Sequence, residues 1–374
     1  LVNFKDLGIH QQFIKALDEN NITVPTEIQQ KAIPFLLENN ADFIGKAQTG
    51  TGKTAAFGLP MLQKVNPDNS AIQGLILCPT RELGQQIAKQ LFKFTKYAEK
   101  RIFTEAVYGG EKIDLQIARL KRATHIVVAT PGRLIDLLER KAINLKSVKT
   151  VVLDEADEML NMGFKQDIFK ILSQLGVERN VWLFSATIQP GIQEIIGNYM
   201  LPDAYKVEVS KNQIVNTSIK HQFVTVDEKD KIDVLKRYLQ KNEGKSGIVF
   251  CRTKNGAQAL SKQLFARGIK NESIHGDLGQ RDRDRVMRLF KSKRLNVLIA
   301  TDISARGIDV DNLAFVVHFQ LPDQLEYYTH RSGRTARAGN KGISLALIGP
   351  NNLDKINEIE SILNISFEDV SGRF

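Results

Sequence analysis

The chain holds 374 residues, 42% of them hydrophobic and 25% charged, with a formal net charge of +10. That length suits two or three domains, the ordinary balance excludes wholesale disorder, and no apolar run approaches the roughly 18 residues of a membrane span. The positive excess is uneven, with 25 Lys/Arg against 23 Asp/Glu in residues 1–209 but 27 against 19 in residues 210–374, and a polyanionic partner is expected.

Residues 1–13 are mixed polar and carry no apolar signal core, so secretion is not expected. Two cysteines, Cys78 and Cys251, are too few for a disulfide framework, and a reducing cytoplasm is the expected compartment. Residues 47–54 read Ala-Gln-Thr-Gly-Thr-Gly-Lys-Thr, nearly a phosphate loop, with Ala47 in place of the first glycine. Backbone N–H groups of Ala47, Gln48, Thr49, Gly50, Thr51 and Gly52 would cradle phosphates, Lys53 would neutralise the β and γ oxygens, and the Thr54 hydroxyl would ligate Mg²⁺. Residues 55–57 make a fair helix start, whose dipole favours anions. An ordinary glycine turn is the alternative.

Residues 74–78 read as a buried strand, after which Leu83, Ile87, Leu91 and Phe94 recur at helical spacing. Further strands are expected at 126–129, 151–153, 182–184, 248–250, 297–300 and 315–317. Strands alternating with helices imply βαβ units and a mostly parallel sheet, the α/β class. The run 150–153 ends in Asp154-Glu155-Ala156-Asp157. A carboxylate at a strand end can hold a metal through its water shell, and the next one can orient and deprotonate an attacking water. A helix-capping acidic cluster is the alternative, weakened by the phosphate loop upstream.

An internal repeat decides the domain count. Residues 74–92 align without gaps on 247–265, sharing a Gly, a Cys, a Thr and the closing Lys-Gln-Leu-Phe. Residues 108–110 and 126–130 then correspond, in order, to 274–276 and 297–301. Two copies of one α/β lobe follow, residues 1–208 and 219–374, with a linker at 209–218 closing a boundary region, 201–218, where periodicity lapses and Pro, Asn and Ser gather. No counterpart of the phosphate loop precedes the second copy. Arg334 and Arg337 stand three apart within residues 330–339 and would share one face of a helix. Reaching a γ-phosphate from the other lobe, they would act as arginine fingers, worth on the order of 10³–10⁵ in rate. Nucleic-acid phosphate contact, or a surface basic cluster, is the alternative. One phosphate loop and one distal arginine pair imply a single ATP site completed when the lobes meet.

Over essentially its whole length the sequence resembles the DEAD-box RNA helicases. The blocks stand in order: PTEIQ at 25–29, AQTGTGKT at 47–54, PTREL at 79–83, Gly109-Gly110, TPGR at 130–133 and DEAD at 154–157. SAT at 185–187, VFCRT at 249–253, HGD at 275–277 with Gln280-Arg281, ATDISARGID at 300–309 and HRSGRTARAG at 330–339 follow. The resemblance implies two RecA-like lobes joined by a flexible linker, with ATP–Mg²⁺ and RNA as ligands. By its motifs Gln29 would read the adenine edge and Phe4 would stack on the ring. Asp309 would contact the ribose, and Ser185 and Thr187 would couple the metal site to the second lobe through Asp157 and His330. RNA contacts are implied at Pro79, Thr80, Arg81, Gly109, Gly110, Thr130 and Arg133. On the second lobe they are implied at Arg252, Thr253, Gly276, Gln280, Arg281, Thr301 and Asp302.

Small and hydroxyl residues at strand ends suit backbone contacts that position a strand without reading bases. The resemblance also implies local, non-processive unwinding of short duplexes or remodelling of RNA–protein complexes, reset by hydrolysis. Ribonucleoprotein or RNA-decay partners are expected to act through tails outside this sequence. The rivals are an ATP-gated RNA clamp without unwinding and a DNA-directed motor. The sequence departs from the usual family pattern at Asn21-Ile22, where Gly plus an aromatic is common, and at Ser332 and Ala336, which replace Ile and Gly. The histidines show no metal-ligand spacing with the cysteines, so no zinc site is expected, and Met159 and Met162 are expected in the core.

Overall fold

Short apolar runs flanked by amphipathic helices build two parallel sheets in a computed structural model that describes residues 2–48, 50–209, 218–305, 313–336 and 340–374. The chain separates into two compact units, Leu1–Val209 and Ser210–Phe374. Most of the expected linker lies outside the described residues.

The first unit opens with α1 (Gln11–Glu19), α2 (Glu27–Glu38), β1 (Phe43–Lys46), α3 (Lys53–Lys64), β2 (Gly74–Leu77) and α4 (Arg81–Phe94). It continues through β3 (Thr104–Val107), α5 (Ile113–Leu120), β4 (Ile126–Ala129), α6 (Pro131–Glu139) and β5 (Thr150–Asp154). Helices α7 (Ala156–Asn161) and α8 (Lys165–Ser173), strand β6 (Asn180–Ser185), α9 (Pro190–Tyr199) and β7 (Tyr205–Glu208) complete it. The second unit runs β8 (Ile219–Thr225), α10 (Lys231–Lys241), β9 (Gly247–Phe250), α11 (Lys254–Ala266), β10 (Asn271–Ile274), α12 (Gln280–Lys291) and β11 (Val297–Ala300). Then come α13 (Asp302–Ala305), β12 (Phe315–His318), α14 (Leu325–Ser332), β13 (Gly342–Ile348), α15 (Leu353–Leu363) and β14 (Phe367–Asp369).

The sheets have the orders β3-β4-β2-β5-β6-β1-β7 and β10-β11-β9-β12-β13-β8-β14, and the strand pairs are parallel throughout. The two orders are the same order. Strands β2 and β9, which carry the sequence repeat, hold the same central position, as do β4 and β11 beside them. The helices after β2 and β9 even start alike: the Thr80 hydroxyl accepts Leu83 N–H at 3.3 Å, and the Thr253 hydroxyl accepts Gly256 N–H at 3.0 Å. Register locates one difference. Thr150 pairs with Gly74 and Phe315 with Gly247, so Phe319 stands in the second unit where Asp154 stands in the first.

Each sheet is sandwiched by helices whose apolar stripes face it. Fully buried Phe57, Phe184 and Trp182 fill one side of the first sheet, and Leu153, Met159 and Ile171 the other. Burying each such side chain contributes about 1.5–3 kcal/mol. The second unit has its own core around Leu235, Val317 and Leu345. Among the described residues no helix is long and apolar enough to cross a membrane.

Candidate functional site

Parallel strands bring all their C-terminal ends to one edge, where open α/β sheets bind ligands. Across the first unit that edge presents, in sheet order, the Gly109-Gly110 turn after β3, the 130–133 turn after β4 and the 79–81 turn after β2. The acidic turn after β5, the 185–187 turn after β6 and the phosphate loop after β1 follow. The three turns after β3, β4 and β2 form one row, and the acidic turn, the 185–187 turn and the phosphate loop form a second row beside it on the same edge.

In the phosphate loop Gly50 and Gly52 take φ +81° and +90°, left-handed values that glycine adopts freely. A Cβ on Gly52 would also run into the Gln29 side-chain amide. Gln29 braces the loop: its Nε2 donates to the Gly52 carbonyl at 3.0 Å while its Oε1 accepts Thr26 N–H at 2.9 Å as half of a capping box on α2. The Thr26 hydroxyl donates to the Thr51 carbonyl at 2.7 Å, and the Thr51 hydroxyl to the Gln48 carbonyl at 2.7 Å. Lys53 is buried at 6% exposure, with Nζ 3.2 Å from the Ala47 carbonyl and 3.9 Å from Asp154 Oδ1. Burial pushes the Asp154 carboxyl up to about 7 against the opposing pull of the Lys53 ammonium.

Glu155 is one of six non-glycine residues at positive φ (51°) among the described residues, a strained conformation at the start of α7. Its N–H donates to Asp154 Oδ1 at 3.0 Å. The buried Asp157 carboxylate accepts Thr187 N–H at 2.9 Å and Thr187 Oγ1 at 3.0 Å. Ser185 Oγ accepts Asp157 N–H at 3.2 Å and donates to the Thr187 carbonyl at 2.8 Å. The turns after β5 and β6 are thus one hydrogen-bonded piece.

On the first of these rows Arg81 lies over the Tyr108 ring at 5.3 Å, and Gln85 donates to the Tyr108 hydroxyl at 2.7 Å. Gly109, Gly132 and Gly276 have nothing within 4 Å of where a Cβ would stand, so no packing inside their own unit demands glycine there. In the second unit Arg252 Nη1 pairs with Asp323 at 3.0 Å, and Lys254 with Asp277 at 2.9 Å, all four partly exposed. Buried Thr301 shares a hydrogen bond of 2.9 Å with Ser304 Oγ.

A profile described as DEAD/DEAH box helicase matches residues 26–195, and one described as helicase conserved C-terminal domain matches 230–339. The chain is 44% identical to the DEAD-box ATP-dependent RNA helicase CshA of Geobacillus kaustophilus over 361 residues, 96% of this chain and 76% of that one. The chain belongs to the DEAD-box helicase family. It is 42% identical to the ATP-dependent RNA helicase CshA of Listeria monocytogenes, over 96% of this chain and 68% of that one. Saccharomyces cerevisiae Dbp5 bound to RNA and ADP BeF3 superposes with a TM-score of 0.88 at 32% identity, covering 98% of this chain and 95% of that one. The DEAD-box helicase Mss116 bound to ssRNA and UDP-BeF gives 0.86 at 28% identity, covering 99% and 80%.

Within this DEAD-box chain, the first unit gathers Gln29, the phosphate loop, Asp154, Glu155, Asp157, Ser185 and Thr187. Three expected site residues, Thr49, Asp309 and Arg337, lie outside the described residues. Phe4 is packed into the core of the first unit at 3% exposure rather than offering a ring face. Asp302 gives both carboxylate oxygens to the buried Arg331, at 2.6 and 2.7 Å, so it ties α13 to α14. Arg281 is exposed on α12, whereas Arg283, which sequence reasoning missed, donates to the Ser304 carbonyl at 2.7 Å. Glu111, Gln116 and Arg119 were missed as well, because nothing in their spacing marks them. His330 lies in the last turn of α14, but the helix stops at Ser332 and Arg334 stands in the turn beyond it, so the expected helical face does not hold Arg334; its carbonyl accepts Leu313 N–H at 3.2 Å.

Proposed function

We propose that this DEAD-box chain is an ATP-dependent RNA helicase with one nucleotide site, founded on the first unit and completed by arginines of the second. The observation that carries this reading is the buried Lys53–Asp154 pair beside a left-handed glycine loop, on the same sheet edge as a row of glycine and threonine turns. The RNA and nucleotide complexes of Dbp5 and Mss116 support RNA as the polymer and a nucleoside triphosphate as the fuel.

The residues fit a nucleotide–Mg²⁺ ligand. Among the described residues the buried Lys53 ammonium meets one carbonyl and a distant carboxylate, and such a group gains from a phosphate. A dication beside Asp154 would favour the ionised form that burial disfavours. Thr54 and Asp154 would hold the ion, largely through water. When bound, the ion would supply charge neutralisation for the phosphates. Lys53 binds the β and γ oxygens from the loop side, and Gln29 reads adenine while bracing Gly52. Glu155 orients and deprotonates the attacking water, and its strained backbone fixes where that carboxylate starts. Arg334 and Arg337 neutralise charge developing on the transferred phosphoryl group.

RNA is gripped by Thr80, Gly109, Gly110 and Thr130 on one unit and by Thr253, Gly276 and Thr301 on the other. A threonine hydroxyl that accepts a helix N–H still has its own proton to donate to a phosphate. Closure of the units on ATP bends the strand and opens a short duplex without processive travel. Hydrolysis releases the grip.

Glu155→Gln tests this directly. ATP and RNA affinity should persist while RNA-stimulated phosphate release collapses by about 100-fold or more; unchanged turnover would remove Glu155 from its role. A strand-displacement assay on a short duplex distinguishes a helicase from a clamp, since a clamp hydrolyses ATP on RNA without releasing a strand.

A further inference from the structure

Glu111 follows Gly109-Gly110 directly and is engaged from two sides. Its carboxylate takes a two-pronged contact from Arg119, Nη1 to Oε1 at 2.9 Å and Nη2 to Oε2 at 2.6 Å. Fully buried Gln116 donates Nε2 to the same carboxylate at 2.8 Å and to the Tyr108 carbonyl at 2.9 Å. Arg119 also donates Nε to Glu105 at 2.5 Å, fastening α5 to edge strand β3. From α6 Arg133 Nη2 donates to the Glu111 carbonyl at 3.0 Å. The backbone is therefore pinned just before the glycine pair to α5 and just after it to α6. Between the pins Gly110 takes φ +86° and Gly109 stands clear of its own unit.

This arrangement has more order than a solvated surface requires. The Arg119 fork holds the Glu111 carboxyl below the usual carboxylate range, so the pair stays charged throughout the neutral range. The two side chains are 33% and 26% exposed, which screens their attraction, but a bidentate fork fixes direction as well as energy. The matching turn of the second unit is held differently, by Gln258 on His275 at 3.0 Å and by Ser304 Oγ on the Ile274 carbonyl at 2.6 Å. The clasp is not a general demand of the repeated fold.

We propose that Glu111, Arg119 and Gln116 are positioning residues for RNA, holding the glycine turn and the 130–133 turn in one register so that both meet the sugar–phosphate backbone already ordered. The inference rests on reading those turns as phosphate contacts. Preordering a contact surface removes an entropy cost that binding would otherwise bear.

Charge alone gives the opposite sign. A carboxylate next to bound phosphates repels them, so neutralising it should tighten binding; if Glu111 positions the turn, E111Q weakens binding although a repulsive charge is gone. The test measures affinity of the full chain for a short fluorescent oligouridylate at fixed salt, with a non-hydrolysable ATP analogue, and RNA-stimulated hydrolysis beside it. Kd for RNA should rise about tenfold in E111Q and in R119M, and by less in R119K, which keeps the charge but not the fork. The double variant should be no worse than either single one, because the pair acts as a unit. ATP affinity, and kcat at saturating RNA, should stay at the wild-type value.

Tighter or unchanged RNA binding by E111Q overturns the proposal. G109V separates its failure from that of the reading beneath it, since it fills the open apex without touching the clasp. If G109V binds RNA normally, the turn is no RNA contact and both fall. If G109V binds weakly while E111Q and R119M bind normally, only the clasp falls. Should E111Q or R119M lose ATP binding as well, R119K carries the comparison, and unaltered RNA affinity in it counts against the clasp.

Discussion

Gln29 shows how one side chain can carry two duties. Both ends of its amide are engaged, one capping α2 and one holding the Gly52 carbonyl, so it braces the phosphate loop before any base arrives. Gln29→Ala should therefore weaken ATP binding about tenfold even for a triphosphate lacking a purine preference, as measured by fluorescent-nucleotide titration. Gly52→Ala should do more harm, since it combines a left-handed φ with a collision against that amide. At this scale the grouping of Lys53, Asp154 and Glu155 was legible because each sits in a pattern of fixed spacing. The left-handed backbone of Glu155 and the burial of Phe4 were not, since no local pattern records strain or tertiary packing.

At the scale of elements, α14 stands on a buried polar chain that gives its end a fixed orientation. Arg331, which can only donate, faces His318 Nδ1 at 3.4 Å, so the other ring nitrogen carries the proton to Ser344 Oγ at 3.0 Å. Ser344 reaches the Tyr328 hydroxyl at 3.3 Å, and Tyr328 meets His221 Nδ1 at 2.6 Å. Ser332, standing where the family commonly has Ile, joins through Ser344 at 2.9 Å. Tyr328→Phe leaves His221 without that partner and should destabilise the second unit by about 1–3 kcal/mol in urea melts.

Burial holds the His221 imidazole down to about 4, and burial also lowers His318. The unfolded chain takes up these protons below about pH 6.5 while the folded unit refuses them. The histidines' contribution is therefore fully present above about 6.5 and is lost as pH falls toward 4. Thermal melts should show the second unit weakening across that window, and His221→Phe should flatten the slope. The strands read from sequence, β2, β4, β5 and β6 and then β9, β11 and β12, are neighbours in the middle of each sheet. The edge strands β3, β7, β10 and β14 escaped notice because an edge buries less and needs no continuous apolar run. So did the interior strands β1, β8 and β13, whose apolar runs are broken by Gly45, by His221 and Gln222, and by Ser344.

For the whole molecule, separate cores in two compact units predict two unfolding transitions rather than one. Since the phosphate loop and Asp154 both belong to the first unit, ATP without RNA should raise only that unit's transition, by an amount growing with the logarithm of ligand concentration. Calorimetry with and without nucleotide checks this, and a shift confined to the second unit would contradict it. Motif order, duplication and family were readable along the chain, because phosphate-binding turns and strand–helix alternation leave their signature in local spacing. The tertiary structure decided which turns share an edge, that Asp302 answers Arg331 and that Arg119 clasps Glu111. Those partners meet only after crossover connections fold the strands out of sequence order, and a chain read in one dimension carries no measure of that proximity.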